Sequence, residues 1–434
     1  MKKLYYSICI LLVSIPLISF GFIILRLGCK QILIDKMNVK NEVVCVWGNY
    51  VWGDRLTTER SMMVDDSSVK SERLLKLEEL LEEQPEESTT ATAKKQNIID
   101  KYDVTCTSVK RKLDKYCQEN FFFYSSLREL AYKWDLYVFG NMTYAREAKT
   151  LYTLNDGVVA ETIGIAELSQ YSEDILQKAM LAEQAQIPYL YVQYPYRVDR
   201  EKGKVPWGVS TYENENADRI VKQLREQNVD VLDLRDELAL LGWNSYEGFY
   251  KTDGHWTTES GFISAGVLAE YLNDNYACKF DLKYFDEQNY NVQSYSLNNW
   301  TIKENVELRI PKFETNMNMV DAYRSKEYKG TFEETWLDKE TVETTKYSNV
   351  LTAYSGLRVG NSRLLECENT KNVNNQIRIL VCSDSFSWHL VPYLSLDCKY
   401  INFVCEPTPE KMEYYIKELS PDMVIELARP KYYN

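Results

Sequence analysis

Two stretches of the chain alternate short apolar segments with amphipathic helical patterns, and this alternation limits the fold more than any other feature. Near-continuous apolar strands joined through helices form a parallel sheet that helices cover on both faces. The first stretch predicts helix 167–186, strand 188–193, helix 214–227, strand 229–233 and helix 260–273. The second predicts strand 377–382, helix 387–394, strand 400–404, helix 409–419 and strand 423–426. The expected fold is a three-layer α/β/α arrangement with a mostly parallel sheet.

The N-terminus contains a long apolar run. Leu4–Leu25 is 22 residues without a charge, which is long enough to cross the ~30 Å hydrocarbon core of a bilayer as a helix. Lys2 and Lys3 precede the run, so the short tail is expected in the cytoplasm and the rest of the chain outside it. We therefore expect residues 1–28 to be a cytoplasmic tip and a single transmembrane signal-anchor at the cell membrane. A cleaved signal peptide is the alternative.

The chain between this run and residue 134 has weak globular character. A helix is predicted for residues 68–83, with leucines on one face and charged residues on the other. A polar linker follows at residues 85–93. We interpret residues 29–134 as a juxtamembrane stalk, and a partner-binding helix or short coiled coil is the alternative.

Residues 135–434 are expected to form the main α/β domain. Residues 283–370 break its alternation, since they are polar, dotted with aromatic residues and irregular. We interpret them as an insertion or a small β-rich excursion. Further predicted elements are helix 107–133, strand 136–139 and a hairpin that turns at Asn155-Asp-Gly157.

Composition excludes some classes of function. The net charge of −13, without a dense Lys/Arg stripe, argues against nucleic-acid binding. The ten cysteines show no metal-binding spacing, so neither a metal nor another cofactor is predicted. The sequence leaves disulfide pairing open, with Cys398–Cys405 and Cys106–Cys117 as possible pairs. Cys382 lies in an apolar strand and is expected to be buried.

The chain has only two histidines, and one of them, His255, follows Asp253 by two residues. Imidazole is the side chain best placed to exchange protons near neutral pH. The loop leads into a helix and is expected at the carboxyl end of a strand. Its two side chains, two residues apart in an extended loop, point to similar sides. A metal site fits less well because the two histidines are far apart and no matching acidic cluster accompanies them.

Ser385 occupies the other position where chemistry is expected. It lies in the turn that leaves predicted strand 377–382, and sites in parallel sheets form at the carboxyl ends of strands. A serine at the start of a helix also has its N–H where an oxyanion would be stabilised. The alternative is that Ser383, Asp384 and Ser387 only cap the following helix.

These two motifs resemble a known family. Tyr250-Lys-Thr-Asp-Gly-His-Trp-Thr-Thr258 followed later by Ser383-Asp-Ser-Phe-Ser387 is similar to AlgX/AlgJ-type SGNH hydrolase-like proteins, above all the branch named DHHW. In that family the Asp-x-His motif precedes the serine motif, the reverse of ordinary SGNH esterases. The resemblance therefore implies an SGNH, flavodoxin-like fold with a circularly permuted motif order. Gly254 and Ser383 depart from the usual His and Gly of the family.

The resemblance also implies roles for single residues. Ser385 would be the nucleophile, His255 the base and Asp253 the carboxylate that orients it. One oxyanion donor would be the N–H of Ser385, and the second is left open. The candidates for that donor or for a substrate contact are Asn214, Asn216, Tyr194, Arg197, Trp256 and His389. For His389, a surface or groove-lining position is the alternative to a substrate contact.

The family implies a function outside the cytoplasm. Its members O-acetylate exported polysaccharides beside a polytopic O-acyltransferase that delivers the acyl group. We therefore expect a serine acyltransferase that acetylates a cell-surface or exported polysaccharide through an ester on Ser385. A carbohydrate acetylesterase with the same triad is the first alternative. A non-catalytic polysaccharide-binding or assembly protein on the same scaffold is the second.

Overall fold

The structure is a computed structural model. It describes residues 70–82, 142–146, 149–154, 158–205, 209–251, 254–298, 303–338, 357–358, 362–371 and 375–429. The strands are β1 Met142–Arg146, β2 Lys149–Thr153, β3 Val159–Ile163, β4 Tyr189–Gln193, β5 Asp230–Asp233, β6 Tyr290–Asn298, β7 Lys303–Pro311, β8 Met317–Asp321, β9 Lys326–Gly330, β10 Leu364–Asn369, β11 Arg378–Ser383, β12 Tyr400–Cys405 and β13 Met423–Ala428. The α-helices are α1 Glu72–Glu82, α2 Ser169–Gln184, α3 Glu213–Glu226, α4 Leu234–Leu240, α5 Thr258–Tyr276, α6 Phe332–Trp336, α7 Val391–Leu394 and α8 Pro409–Leu419.

The main sheet has eight strands in the order β5-β4-β13-β11-β12-β10-β8-β9. The strands from β5 to β12 pair in parallel, and β10, β8 and β9 extend the sheet in antiparallel pairings. Separate antiparallel sheets are formed by β1-β2-β3 and by the β6-β7 hairpin. The predicted mixed α/β fold with a mostly parallel sheet is therefore confirmed.

Helices cover both faces of the sheet because successive residues of each strand point to opposite sides. On β4, Leu190 and Val192 belong to one hydrophobic core, which also takes in α4, α5 and α7. Tyr189 and Tyr191 belong to the second core, which is closed by α1, α2, α3 and α8. The helices and strands predicted within residues 167–273 and 377–426 begin and end within three residues of the predicted bounds, except at the turn after β11.

The fold prediction also included one N-terminal transmembrane helix, and this part is corrected. No helix in the described part of the chain is both long and apolar enough to cross a bilayer. The segment for which it was predicted, residues 4–25, lies outside the described residues.

Helix α1 packs onto the sheet. Leu74, Leu77 and Leu80 are buried in the same core as α2 and α3. The helical periodicity predicts Leu74, Leu77 and Leu81 on one face, so two of these leucines are buried as predicted and Leu81 is only partly buried. Arg73 also forms a side-chain ion pair with buried Glu366 of β10. The predicted helix is thus present and contributes to the core, while the division of the chain into stalk and domain stays a prediction.

The segment predicted as an insertion is rich in β-structure. Within residues 283–370, strands β8, β9 and β10 join the main sheet, and only the β6-β7 hairpin stands apart from it. The excursion is therefore partly an extension of the sheet. The predicted elements at 85–93, 107–133 and 136–139 lie outside the described residues.

The described cysteines form no disulfide with one another. Cys398 and Cys405 are therefore not joined, and the first of the two possible disulfides is absent. Cys106 and Cys117 lie outside the described residues. Cys382 is buried, as predicted, and burial raises the pKa of its thiol.

Candidate active site

The serine turn leaves the carboxyl end of β11, near the middle of the parallel strands. Residues Ser385–His389 form a 3-10 helix, where the sequence predicted the start of an α-helix. Asp384 caps it by accepting from the N–H of Phe386 at 2.9 Å. The hydroxyls of Ser383 and Ser387 both donate to the carbonyl of Asp384 at 3.2 Å. Of the three residues considered as helix caps, only Asp384 is one, and Ser385 is the serine of this turn whose hydroxyl contacts the histidine loop.

His255 reaches this edge from a loop rather than from a strand of the sheet, which corrects the predicted position. The loop between α4 and α5 folds back on itself through an isolated antiparallel bridge between Phe249 and Trp256. The N–H of Tyr250 donates to the carbonyl of His255 at 3.1 Å. Thr257 then caps α5 by accepting from Ser260 N–H. His255 is thus fixed between a bridge and a helix start.

The two motifs meet in space. Nε2 of His255 lies 2.6 Å from Oγ of Ser385, although the residues are 130 positions apart in the sequence. With the proton on Nδ1, Nε2 accepts from the serine hydroxyl, which is the contact that a general base needs. Ser385 is partly exposed and His255 is buried. Asp253, predicted to orient the imidazole, lies outside the described residues.

Aromatic rings surround the contact and centre on Phe386. The Phe386 ring lies 5.1 Å from the imidazole of His255 and stacks on Tyr194 at 4.2 Å between centroids. Trp388 stacks on His255 from another side, at 6.1 Å and an interplanar angle of 16°. Such packing restricts the ring rotamers of the imidazole, which preorganises the serine–histidine pair.

Trp256 ties the histidine loop to the serine turn. Its indole is fully buried, and Nε1 donates to the carbonyl of Phe386 at 2.8 Å. The sequence suggested Trp256 as a substrate or oxyanion contact, but its N–H is used inside the protein. Trp256 therefore connects the histidine loop to the serine turn.

A glycine lets the helix after the histidine loop approach the serine turn. A Cβ on Gly261 of α5 would lie 2.3 Å from the carbonyl oxygen of His389. Only glycine permits this distance without a shift of the backbone. His389 itself is fully buried and its ring lies edge-on to Tyr250 at 6.1 Å. It is therefore neither the substrate contact nor the surface or groove-lining residue that the sequence suggested.

Three of the candidate oxyanion or substrate residues bond to the protein backbone elsewhere. Asn214 is buried and donates to the carbonyl of Val198 at 2.8 Å. Asn216 is buried and donates to the carbonyl of Gly164 at 2.9 Å. Arg197 donates to the carbonyl of Tyr250, so it fastens the loop after β4 to the histidine loop. None of these three bonds is made to Ser385.

Tyr194 contacts the serine turn through Asp384, the residue before Ser385. Its hydroxyl donates to Oδ2 of Asp384 at 2.7 Å. Burial raises the pKa of Tyr194 well above the usual range, so the phenol stays protonated and keeps donating. Tyr194 therefore holds Asp384, the residue before Ser385.

Arg429 is a residue of this site that the sequence analysis missed. It follows β13, the parallel neighbour of β11, and its Nε lies 3.8 Å from Oδ2 of Asp384. Its guanidinium lies over the Phe386 ring at 5.3 Å. The sequence could have indicated Arg429 by its position directly after an apolar strand, because parallel sheets place functional side chains at the carboxyl ends of their strands. Among the described residues, no group of three or more His, Cys, Asp or Glu side chains could hold a metal ion.

Comparison with known sequences links part of the chain to a family. Residues 166–299 match the model of the SGNH hydrolase-like domain of acetyltransferase AlgX. The match contains the histidine loop and ends before Ser385, so the place of the serine rests on the geometry above. No curated protein is similar in sequence at a significant level.

Solved structures that are similar to this chain include Bacillus cereus PatB1 with a sulfonyl adduct. It has 18% identity and a TM-score of 0.53, over 65% of this chain and 95% of that chain. A DHHW family protein from Eubacterium siraeum has 13% identity and a TM-score of 0.44, over 66% and 91% of the two chains. The O-acetyltransferase domain of Pseudomonas putida AlgJ has 15% identity and a TM-score of 0.34, over 64% and 91%.

The likeness to PatB1 shows a shared fold. Residues 166–299 of this chain are therefore recognised as an SGNH hydrolase-like domain of the AlgX type, as the Asp253/His255 motif indicates, whereas the Ser383–Ser387 motif lies beyond the match.

Proposed function

We propose that this chain is a serine acyltransferase that moves an acetyl group, through an ester on Ser385, to a hydroxyl of a cell-surface or exported polysaccharide. The observation that carries the proposal is the 2.6 Å contact between Oγ of Ser385 and Nε2 of His255. A nucleophile and a base in hydrogen-bond contact are the minimal machinery of acyl transfer. The match to a domain model named for an acetyltransferase supports the choice of acyl group.

The first half of the reaction forms the ester. Oγ of Ser385 attacks the carbonyl carbon of an acetyl ester while its proton passes to Nε2 of His255. The tetrahedral intermediate then breaks its bond to the donor oxygen, which leaves as an alcohol with the proton from His255. The products of this half-reaction are acetyl-Ser385 and the deacetylated donor, with His255 again neutral.

The second half repeats these steps with an acceptor. A sugar hydroxyl gives its proton to His255 and attacks the acetyl carbonyl, and Ser385 leaves with that proton. The N–H of Ser385 is the first of the 3-10 helix and has no acceptor within that helix, so it is the proposed donor to the oxyanion. Trp256 and Asn214 are not assigned this role, because both donate to backbone carbonyls.

The acceptor distinguishes transfer from hydrolysis. Water in place of the sugar would make the same residues an acetylesterase, and the two reactions differ in how the site orients a hydroxyl and excludes water. The imidazole of His255 is covered by Phe386 and Trp388, which supports limited water access at the base. Location outside the cytoplasm and a polytopic acyl-donor partner are further parts of the proposal, since an exported polysaccharide is found there.

The experiment compares transfer with hydrolysis in the full chain. An aryl acetate serves as donor, oligosaccharides as acceptors, and acetylated sugar and free acetate are both measured. We expect acetylated sugar to exceed free acetate, and Ser385→Ala to lower both by about 10³-fold or more. Ser387→Ala is the matched control, because its hydroxyl contacts Asp384 and not His255.

Two results would change the proposal. Free acetate alone, lost in Ser385→Ala, would identify an acetylesterase. No turnover, together with no covalent adduct after treatment with a sulfonyl fluoride, would reject both catalytic functions and leave a binding or assembly protein.

A further inference from the structure

A carboxylate lies directly beside the nucleophile. Asp384 precedes Ser385, and its two oxygens accept from the N–H of Phe386 at 2.9 Å and the hydroxyl of Tyr194 at 2.7 Å. These bonds hold the serine turn in shape. They also hold the negative charge of Asp384 next to Ser385, where acyl transfer creates an oxyanion. The two negative charges repel each other, which raises the energy of the oxyanion.

Arg429 brings the opposite charge to the same carboxylate. Strands β11 and β13 pair in parallel up to Ser383 and Leu427, and Ser385 and Arg429 each follow two residues later, beyond the ends of these neighbouring strands. Nε of Arg429 is 3.8 Å from Oδ2 of Asp384, and the two side chains are 28% and 17% exposed. An ion pair at this partial exposure is screened by water less than a surface pair.

The guanidinium also has a second contact that fixes its plane. It lies over the ring of Phe386, with 5.3 Å between the guanidinium carbon and the ring centroid. Arginine can stack on an aromatic face and still present N–H groups to a carboxylate, whereas lysine is a point charge on a flexible stem. An arginine is therefore better suited than a lysine to hold a positive charge in a fixed position beside the serine turn.

We propose that Arg429 is a positioning residue for acylation of Ser385, which it supports by offsetting the charge of Asp384 and by holding the serine turn. This inference rests on the proposed acyl transfer. The carboxylate of Asp384 is needed for the shape of the turn, because it caps the 3-10 helix and binds Tyr194. Arg429 lets the site keep that carboxylate without raising the energy of the oxyanion.

The test is a double-mutant cycle on the acylation rate constant of the full chain with an aryl acetate. Arg429→Gln is expected to lower this rate constant by about 10- to 100-fold, and Arg429→Lys, which keeps the charge but not the stacking, by a smaller factor. In the Asp384→Asn background, Arg429→Gln is expected to cost less than about threefold, since no carboxylate is left to offset. Thermal melting of each variant shows that it is folded.

A purely structural Arg429 gives a different pattern. An equal loss from Arg429→Gln in both backgrounds, or a loss of less than about twofold in the wild-type background, would overturn the inference. In either case the wild-type chain is still acylated at Ser385, so the proposed function stands. Absence of acylation in the wild type would instead reject the proposed function and this inference together.

Discussion

Nε1 of Trp256 donates to the carbonyl of Phe386 at 2.8 Å, across 130 residues of sequence. The two partners are the immediate neighbours of His255 and Ser385, so a single buried hydrogen bond sets the distance between the loops that carry the base and the nucleophile. The Tyr194 ring, 4.2 Å from Phe386 and 6.2 Å from Trp256, packs against both partners.

Trp256→Phe is predicted to slow acylation of Ser385 while the protein remains folded. The change removes the donor to a buried carbonyl and keeps most of the ring volume, so we expect a loss of about 1 kcal/mol in the free energy of unfolding. A small misplacement of reacting groups is costly, and acylation should fall roughly tenfold or more. Denaturant unfolding and aryl acetate kinetics measure the two effects.

Trp243→Phe is the control for this variant. It also removes an indole N–H donor, which bonds Oγ of Ser260 at 3.0 Å rather than the serine turn. A similar loss of stability with a much smaller loss of acylation rate is expected. Equal effects of both variants on the rate would show that the Trp256 bond does not position the site.

Gly261→Ala is predicted to separate the histidine and serine elements. The new methyl would lie 2.3 Å from the carbonyl oxygen of His389, and a backbone atom cannot rotate away as a side chain can. We expect a destabilisation of about 2 kcal/mol and a fall in acylation of at least about tenfold.

Gly266→Ala, in the same helix α5, is the control for Gly261→Ala. At Gly266 the nearest atom to a new methyl is Cβ of Phe285, at 3.1 Å. Gly266→Ala should leave the acylation rate within about twofold of wild type, since the new methyl would contact Phe285 and not the serine turn. A Gly261→Ala protein that keeps full activity would mean that the close approach of α5 is not needed for catalysis.

Glu366 is predicted to make stability depend on pH at the acid end. Burial opposes its ionisation, but hydrogen bonds from Arg73 and Asn402 outweigh that effect and hold its pKa below the usual value. A depressed folded-state pKa contributes stability above the unfolded pKa and loses it as pH falls through the folded pKa. Glu366→Gln should cost about 3 kcal/mol at pH 7 and clearly less below pH 4.

Denaturant unfolding at the two pH values measures this contribution. Glu78→Gln is the control, because Glu78 pairs with Lys70 on the surface and such pairs contribute little. A Glu366→Gln cost that is the same at both pH values would contradict the assignment of an ionised Glu366 in the folded protein.

The alternating strands and helices could be predicted from the sequence because their apolar patterns are strong. Strand β11 and helix α8 lie within a residue of their predicted bounds. Strands β8 and β9 could not be assigned to the main sheet, since their pairing is antiparallel and β9 is mostly polar. Pairing of such strands depends on tertiary context rather than on local pattern.

The serine–histidine pair could be predicted because two short motifs carry it, whereas the surrounding residues could not. His389 follows Ser385 by four residues, a spacing that would put both on one face of an α-helix, but this segment is a 3-10 helix of three residues per turn. Residues three apart then share a face, and accordingly it is Trp388 that stacks on His255. The partners of Tyr194 and Asn214 are set by distant parts of the chain, which no local pattern reveals.

The most direct test of the account is to find the acetyl group on the enzyme. The full chain is mixed rapidly with an aryl acetate, quenched in acid, digested and analysed by peptide mass. The account predicts acetyl-Ser385 in the wild type and in Ser387→Ala, and none in Ser385→Ala. Turnover of the ester with Ser385 unmodified, or an acetyl group on another residue that persists in Ser385→Ala, would contradict it.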